Sequence, residues 1–184
     1  MSRPHWSAAA ALAVGLAGPA HALDLSSPAF GPGEAIPATH AFDGFGCTGD
    51  NVSPALTWRD APEGTESFAL MVHDPDAPTG GAGFWHWVVI NIPASVDKLP
   101  RGAGTPGELP LDAPARQIRN DYGIEGWGGP CPPEADPAHR YTFTLYALPK
   151  AKLGVPADAT ASLAGFMINT SAIASTTLEG TYAR

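Results

Sequence analysis

The sequence is poor in charge, and the charge it has is mostly negative. Charged residues make up 15% of the 184 residues, and 18 acidic against 10 basic side chains give a net charge of −8 at pH 7. A surplus of negative charge repels the phosphate backbone of nucleic acids, so we expect no nucleic-acid partner. With 44% hydrophobic residues, the chain has the composition of a folded domain and not of a disordered segment.

Short motifs of several enzyme classes are missing as well. The sequence contains no G-x-S-x-G nucleophile elbow, no H-E-x-x-H zinc motif and no G-x-x-x-x-G-K-[ST] phosphate loop. It also has no internal repeat and no low-complexity tract. A Ser/His/Asp hydrolase is still compatible with these absences because its residues can lie far apart in the chain, but no serine stands in the context of a strained elbow.

The apolar run at the N-terminus, from Ala8 to Ala17, is too short to span a bilayer, which takes about 20 residues. It follows a basic residue, Arg3, and precedes a small-x-small sequence at Ala20–Ala22. This is the layout of a cleavable secretory signal, although a buried or amphipathic helix is the alternative. We therefore expect removal of residues 1–22, and we expect residues 23–184 to form one domain of a periplasmic or secreted protein.

Cysteine occurs only twice, at Cys47 and Cys131. In an exported protein an even number of cysteines suggests a disulfide, with two buried free thiols as the alternative. A metal site built on the two thiolates is disfavoured because neither cysteine has a C-x-x-C partner.

Glycine and proline are abundant, with 21 and 20 residues, which predicts many turns and hence a β-rich fold. Apolar or alternating runs predict core strands at 67–73, 86–92 and 139–148. The pattern predicts one substantial helix, from about residue 160 to residue 178, which is preceded by cap residues and has a break or frayed turns near Asn169. It also predicts a short helix near 96–98. The longer helix would face the core through four apolar side chains, Leu163, Phe166, Met167 and Ile173.

The stretch His73–Ile92 joins two of these strands through a loop rich in titratable side chains. Asp74 and Asp76 follow the first strand, His86 begins the second, and His139 begins the third. If the strands pair side by side, these groups meet at one end of the sheet. Such a cluster is typical of a metal site or of an anion pocket in which histidines donate hydrogen bonds. The plain alternative is that each histidine only caps a strand.

Several aromatic side chains with polar tips lie near the same loops in the sequence. Such side chains suit the mouth of a pocket, and core packing is the alternative. The candidates are Trp85, Trp87, Trp127, Tyr122 and Tyr141.

Three motifs in a fixed order resemble the phosphatidylethanolamine-binding protein family, and in particular its bacterial Raf-kinase-inhibitor-like branch. The first is D-P-D-A-P at 74–78, the second is F-W-H-W-V-V-I-N at 84–91, and the third is G-P-C-P-P at 129–133 followed by H-R-Y at 139–141. The similarity extends over nearly the whole chain after the signal, including the segment 45–58.

The resemblance implies an all-β fold, in which two antiparallel sheets pack as a Greek-key β-sandwich with a C-terminal helix and short peripheral helices. It also implies a small pocket for phosphate-type anions or phospholipid head groups, without a cofactor. His86, His139 and the hydroxyl of Tyr141 would donate to the anion. Asp74 would fix a histidine tautomer and would not touch the anion directly, because like charges repel. A disulfide between Cys47 and Cys131 would link the Gly-rich loop to the pocket loop. The pocket residues carried over are Asp74, Asp76, Pro78, His86, Pro133, His139 and Tyr141.

We therefore expect an exported protein that binds a small anionic ligand and is not an enzyme. One alternative is an interaction protein that inhibits a protease or a signalling enzyme through the loops 93–114 and 122–133. The other is a metal-dependent hydrolase that uses His86, His139 and Asp74.

Overall fold

The computed structural model describes residues 22–111 and 114–184. The predicted signal, residues 1–22, lies outside this part of the chain except for Ala22. Two antiparallel sheets pack against each other, and one α-helix covers the outer face of the larger sheet. The predicted all-β architecture with a helix near the C-terminus is confirmed. No helix within the described ranges is both long and apolar enough to cross a membrane.

The smaller sheet has three strands in the order β1-β2-β5, and the larger one has five in the order β6-β4-β3-β7-β8. The smaller sheet consists of β1 (Asp24–Ser26), β2 (Leu56–Arg59) and β5 (Lys98–Leu99). The larger sheet consists of β3 (Ser67–Asp74), β4 (Phe84–Pro93), β6 (Arg116–Ile118), β7 (His139–Leu148) and β8 (Ala174–Tyr182). The helix α1 is Ala161–Ser171, and a short 3-10 turn spans Ala38–His40.

The central strand β3 is apolar from Phe68 to Val72 because this stretch is covered on both faces. Phe68, Leu70 and Val72 point into the core between the two sheets. Ala69 and Met71 point to the opposite face, into a second core beneath α1. Since side chains alternate along a strand, a strand with two covered faces needs a continuous apolar run.

Strand pairing brings the titratable side chains to one end of the larger sheet. β3 ends at Asp74, which pairs with Phe84 at the start of β4. On the other side of β3, His73 pairs with Thr142 in β7. His139 therefore begins β7 at the same end of the sheet, beside the loop that joins β3 to β4.

The C-terminal region differs from the sequence prediction in the extent of the helix. The helix ends at Ser171, and the residues from Ala174 onwards form β8, which pairs with β7 over nine positions. Ser175, Thr176 and Thr177 fall in this strand; threonine is β-branched and favours extended backbone, and these residues are poor helix formers. The short helix predicted near 96–98 is also wrong, because Lys98–Leu99 pair with β2.

The face of α1 that meets the core agrees with the predicted one only at Met167, which is partly buried and packs against the second core. Leu163, Phe166 and Ile173 are 43%, 67% and 45% exposed. The helix approaches the sheet closely, and a methyl group at Gly165 would lie 2.9 Å from the Met71 Cε. Small side chains therefore occupy most of the contact face. The buried residues of the helix are Ala161, Ala164, Gly165 and Ile168.

Substitutions on the two faces of α1 should have very different costs. Ile168 is fully buried and Phe166 is largely exposed. We expect Ile168→Ala to lower the free energy of unfolding by about 2–5 kcal/mol, and Phe166→Ala to change it by less than about 0.5 kcal/mol. Urea unfolding of both variants measures the difference. The opposite ranking would mean that α1 packs through the face predicted from the sequence.

Candidate functional site

A pocket of about 250 Å³ opens at the end of the larger sheet where β3, β4 and β7 meet. Five of the seven residues predicted for a pocket line it, namely Asp74, Pro78, His86, Pro133 and His139. Asp76 and Tyr141 do not. The other lining residues are Phe45, Ala77, Thr79, Phe84, Tyr122, Cys131 and Pro132.

Asp74 is the fixed element of the pocket. It is buried at the end of β3, and its Oδ1 accepts hydrogen bonds from the backbone N–H groups of Asp76 (2.9 Å) and Ala77 (3.0 Å). Its Oδ2 lies 2.8 Å from Nδ1 of His139. One carboxylate thus closes the loop after β3 and orients the imidazole of His139, and its backbone bonds are of the strong, charge-assisted kind.

His139 has a carboxylate at each ring nitrogen. Nδ1 faces Asp74, and Nε2 lies 3.2 Å from Oδ2 of Asp136. Burial opposes protonation, but the hydrogen bonds and charges of Asp74 and Asp136 outweigh it and raise the pKa of His139 above 6.5. Since carboxylate oxygens only accept hydrogen bonds, the geometry fits an imidazolium that donates from both nitrogens.

His86 has the opposite character. It is buried, and its Nδ1 lies 2.6 Å from the carbonyl oxygen of Gly128. Burial lowers the pKa of His86 to about 4, although Gly128 and the charge of Asp74 partly counteract this effect. The ring is therefore neutral at pH 7, and its one proton is on Nδ1 because a carbonyl can only accept. Nε2 has no hydrogen-bond partner among the described residues and is left as an acceptor.

This tautomer differs from the prediction that both imidazoles would donate to an anion. His139 presents a donor and His86 presents an acceptor. The sequence carried no signal for this difference, since it depends on which backbone carbonyl lies beside Nδ1 of His86.

Tyr141 lies behind the pocket. Its side chain is fully buried, and its ring centroid is 5.1 Å from that of His86. The hydroxyl has no hydrogen-bond partner in the described part of the chain. Burial, together with the negative charge of Asp74, raises the pKa of Tyr141, so the hydroxyl keeps its proton. Tyr141 does not line the pocket, so it packs behind His86 and is not one of the groups that a ligand in the pocket would meet.

The carboxylate of Asp76 forms its hydrogen bonds outside the pocket. Its two oxygens bind Nη2 (2.6 Å) and Nε (2.9 Å) of Arg140, and it also accepts from the backbone N–H of Arg140. These hydrogen bonds lower the pKa of Asp76 to about 2. Asp76 therefore ties the loop after β3 to the start of β7 and is not placed to touch a ligand.

The pocket has an aromatic rim, of which the sequence predicted Tyr122 but none of the phenylalanines. Phe42 stacks on Tyr122 with ring centroids 4.0 Å apart, and Phe84 meets Tyr122 edge-on at 4.7 Å. Phe45 completes the rim; it is 76% exposed and has a backbone φ of 54°, which is unusual for an aromatic residue. Of the five aromatic candidates only Tyr122 lines the pocket, and Trp87 and Trp127 are buried in the core.

A disulfide between Cys47 and Cys131 joins the two segments that form the rim. Cys47 belongs to the Gly-rich loop that carries Phe45, and Cys131 lines the pocket within the Pro-rich segment before β7. The pairing confirms the predicted disulfide. The side chain of Arg184 also reaches the carbonyl oxygen of Phe45, at 3.5 Å.

The histidines and carboxylates do not form a metal-binding cluster in the described ranges, where no three His, Cys, Asp or Glu side chains have suitable geometry. Nδ1 of His86 and both nitrogens of His139 already face oxygen atoms. The arrangement therefore gives no support to the alternative of a hydrolase that uses His86, His139 and Asp74.

Residues 26–183 match the family model described as phosphatidylethanolamine-binding protein. The chain is 46% identical over 163 residues to the UPF0098 protein YbcL of Escherichia coli, with 89% of this chain and 88% of the relative covered. It is 41% identical to YbhB of the same organism, with 82% and 93% covered. The crystal structure of Escherichia coli YbcL, described as a member of the mammalian PEBP family, superposes with a TM-score of 0.85 at 44% identity and covers 89% of this chain and 99% of that one.

Proposed function

The chain belongs to the phosphatidylethanolamine-binding protein family, and from that premise we propose that its pocket binds phosphate-type anions or phospholipid head groups without catalysing a reaction. The observation that carries the proposal is the imidazole of His139, which Asp74 holds in a buried position at the pocket. Protonated and oriented in this way, it is a strong donor for an oxyanion.

His86 adds a second requirement for the ligand. Because its Nε2 is an acceptor, it pairs with a group that brings a proton, such as the P–OH of a phosphate or the ammonium of a head group. The ligand that suits this arrangement carries an ionised oxygen towards His139 and a hydrogen-bond donor towards His86.

The size and lining of the pocket favour a small ligand. Its volume of about 250 Å³ is below the range of about 300–1,000 Å³ that is usual for sites of drug-sized molecules. Pro78, Pro132 and Pro133 form a stiff apolar wall, and Phe45, Phe84 and Tyr122 form another. These walls fit the carbon atoms of a head group. The polar side chains at the bottom of the pocket, those of His86 and His139, fit its phosphate.

A binding role without catalysis is supported by the state of the possible nucleophiles in the pocket. The sulfur of Cys131 is engaged in the disulfide. The hydroxyl of Thr79 lies 3.0 Å from the carbonyl oxygen of Gly83, within its own loop. Among the described residues, neither group is hydrogen-bonded to a base that would activate it, as nucleophilic catalysis requires.

Export is part of the same proposal. It rests on the signal layout of residues 1–22 in the sequence and on the disulfide, since such bonds persist in oxidising compartments and are rare in the cytosol. A periplasmic or secreted protein would meet free phosphate esters or the surface of a membrane.

We expect His139→Ala to weaken binding of phosphate and phosphoethanolamine about a hundredfold, because it removes a charge-assisted hydrogen bond and leaves the buried Asp74 carboxylate unpaired. Isothermal titration calorimetry measures the affinities, and urea unfolding verifies that the variant is folded. His139→Gln serves as a second variant if the alanine variant does not fold.

His73→Ala is the matched control, because His73 bonds the carbonyl oxygen of Ala82 and packs on Trp85 outside the pocket. Its affinities should equal those of the wild type. If the His139 variants also bind as the wild type does, the proposal is wrong.

A further inference from the structure

We propose that Asp136 is an internal competitor of the bound anion, and that it sets the affinity of the pocket by occupying Nε2 of His139. The inference rests on the proposed function, because it assumes that an oxyanion binds at His139. It concerns a residue that was not among the predicted site residues.

The geometry leaves an incoming anion one route to the imidazolium. Nδ1 of His139 is committed to Asp74 at 2.8 Å, and Nε2 is bound by Asp136 at 3.2 Å. A ring with two nitrogens has no third polar donor. An oxyanion that binds His139 must therefore take the place of one of the two carboxylates.

The two carboxylates are not equally easy to displace. Asp74 is buried and holds two backbone N–H groups besides His139. Asp136 has a side chain that is 34% exposed, and within the described ranges His139 is its only hydrogen-bonded or ionic side-chain partner. Once displaced, Asp136 regains water, whereas displaced Asp74 would leave two buried donors unpaired.

The position of Asp136 in the chain suits this role. It lies three residues before His139, in the turn that connects the Pro132-Pro133 wall to β7, and its backbone N–H bonds the carbonyl oxygen of Pro133. The turn begins at the pocket wall and carries the carboxylate of Asp136, which does not itself line the pocket, to Nε2 of His139. Asp136 thus accepts the hydrogen bond of Nε2 before any ligand binds. A ligand gains only the difference in free energy between its own bond to His139 and that of Asp136.

The test is the affinity for inorganic phosphate of Asp136→Asn and Asp136→Ala, measured calorimetrically at about pH 6, below the usual pKa of histidine. We expect both variants to bind phosphate on the order of tenfold more tightly, which corresponds to the loss of one competing charge-assisted hydrogen bond. The alanine variant shows that the gain does not come from a new amide donor. Loss of a purely structural contact would not tighten binding.

Glu134→Gln is the matched control. Glu134 lies in the same turn and carries the same charge, but it is exposed and has no hydrogen bond or salt bridge in the described part of the chain. Its variant reports the general effect of removing one negative charge near the pocket, and that effect should be much smaller.

The outcomes separate this inference from the proposed function. If the wild type binds phosphate and the Asp136 variants bind no more tightly than Glu134→Gln, the competitor role is wrong and the anion pocket stands. If only the Asp136 variants bind phosphate or phosphoethanolamine, the competitor role is supported and the proposed function of the wild-type protein is wrong, since the carboxylate then excludes the anion outright. If no variant and no wild-type protein binds phosphate or phosphoethanolamine, both are wrong.

Discussion

Phosphate should bind the protein on the order of a hundredfold more tightly than sulfate at neutral pH, although the two anions have nearly the same size and shape. Sites built to pair with a ligand's proton reject analogues that lack it, by up to about 10⁴–10⁵-fold in favourable cases. The relevant group is His86, whose Nδ1 faces the carbonyl oxygen of Gly128 and whose Nε2 can only accept. Phosphate at pH 7 has a P–OH to donate, whereas sulfate has none and would face the lone pair of Nε2 with another lone pair.

Competition titration of the two anions measures this ratio. His86→Gln is the informative variant, because an amide can turn either its donor or its acceptor towards the pocket. Discrimination should fall to a few-fold in this variant, mainly through tighter sulfate binding. Equal affinities of the wild type for both anions would contradict the assigned tautomer of His86.

Removing the disulfide should cost about 4 kcal/mol of unfolding free energy. Cys47 and Cys131 are 84 residues apart, and a cross-link that closes a loop of this length restricts the unfolded chain by about 4–5 kcal/mol in the chain-entropy description. The Cys47→Ala/Cys131→Ala double variant should unfold at a correspondingly lower urea concentration. Its pocket should also bind phosphoethanolamine less tightly, since the loop that carries Phe45 is no longer fixed to the opposite wall.

A reducing agent provides the internal control for this experiment. It should reproduce most of the loss in the wild type and leave the double-alanine variant unchanged. A loss below about 1 kcal/mol would contradict the chain-entropy description, because constraint of the unfolded state is the main expected contribution of a disulfide.

The main strands could be predicted from the sequence because their patterns are local. The alternation from His139 to Leu148 gave the bounds of β7, and the apolar run at 67–73 gave β3 to within one residue. The C-terminal helix was predicted too long because Ser175–Thr177 join β8 through pairing with β7, which is a tertiary interaction. Most of its core face was predicted wrongly because hydrophobicity suggested Phe166, whereas the close approach of the helix to Met71 leaves no room for a side chain at Gly165.

Only those site residues that lie at the ends of core strands could be predicted from the sequence. Asp74, His86 and His139 flank core strands, and the structure brings them to one pocket. The phenylalanines of the aromatic rim were missed because Phe42 and Tyr122 come together only through loops that are distant in sequence. Asp136 was missed because its contact with His139 depends on a turn after two prolines, and a carboxylate in such a turn is ordinarily solvated.

Because a hydrophobic core covers each face of β3, this strand is restricted in the amino-acid substitutions that it tolerates. Each residue from Phe68 to Val72 belongs to one of two cores, so this strand has no position at which a larger, smaller or polar side chain can be accommodated cheaply. β8 is the opposite case, since Ser175 and Thr177 on its outer face are exposed. Random mutagenesis should therefore leave β3 almost invariant among folded variants, and probes or tags for binding studies are best attached along β8.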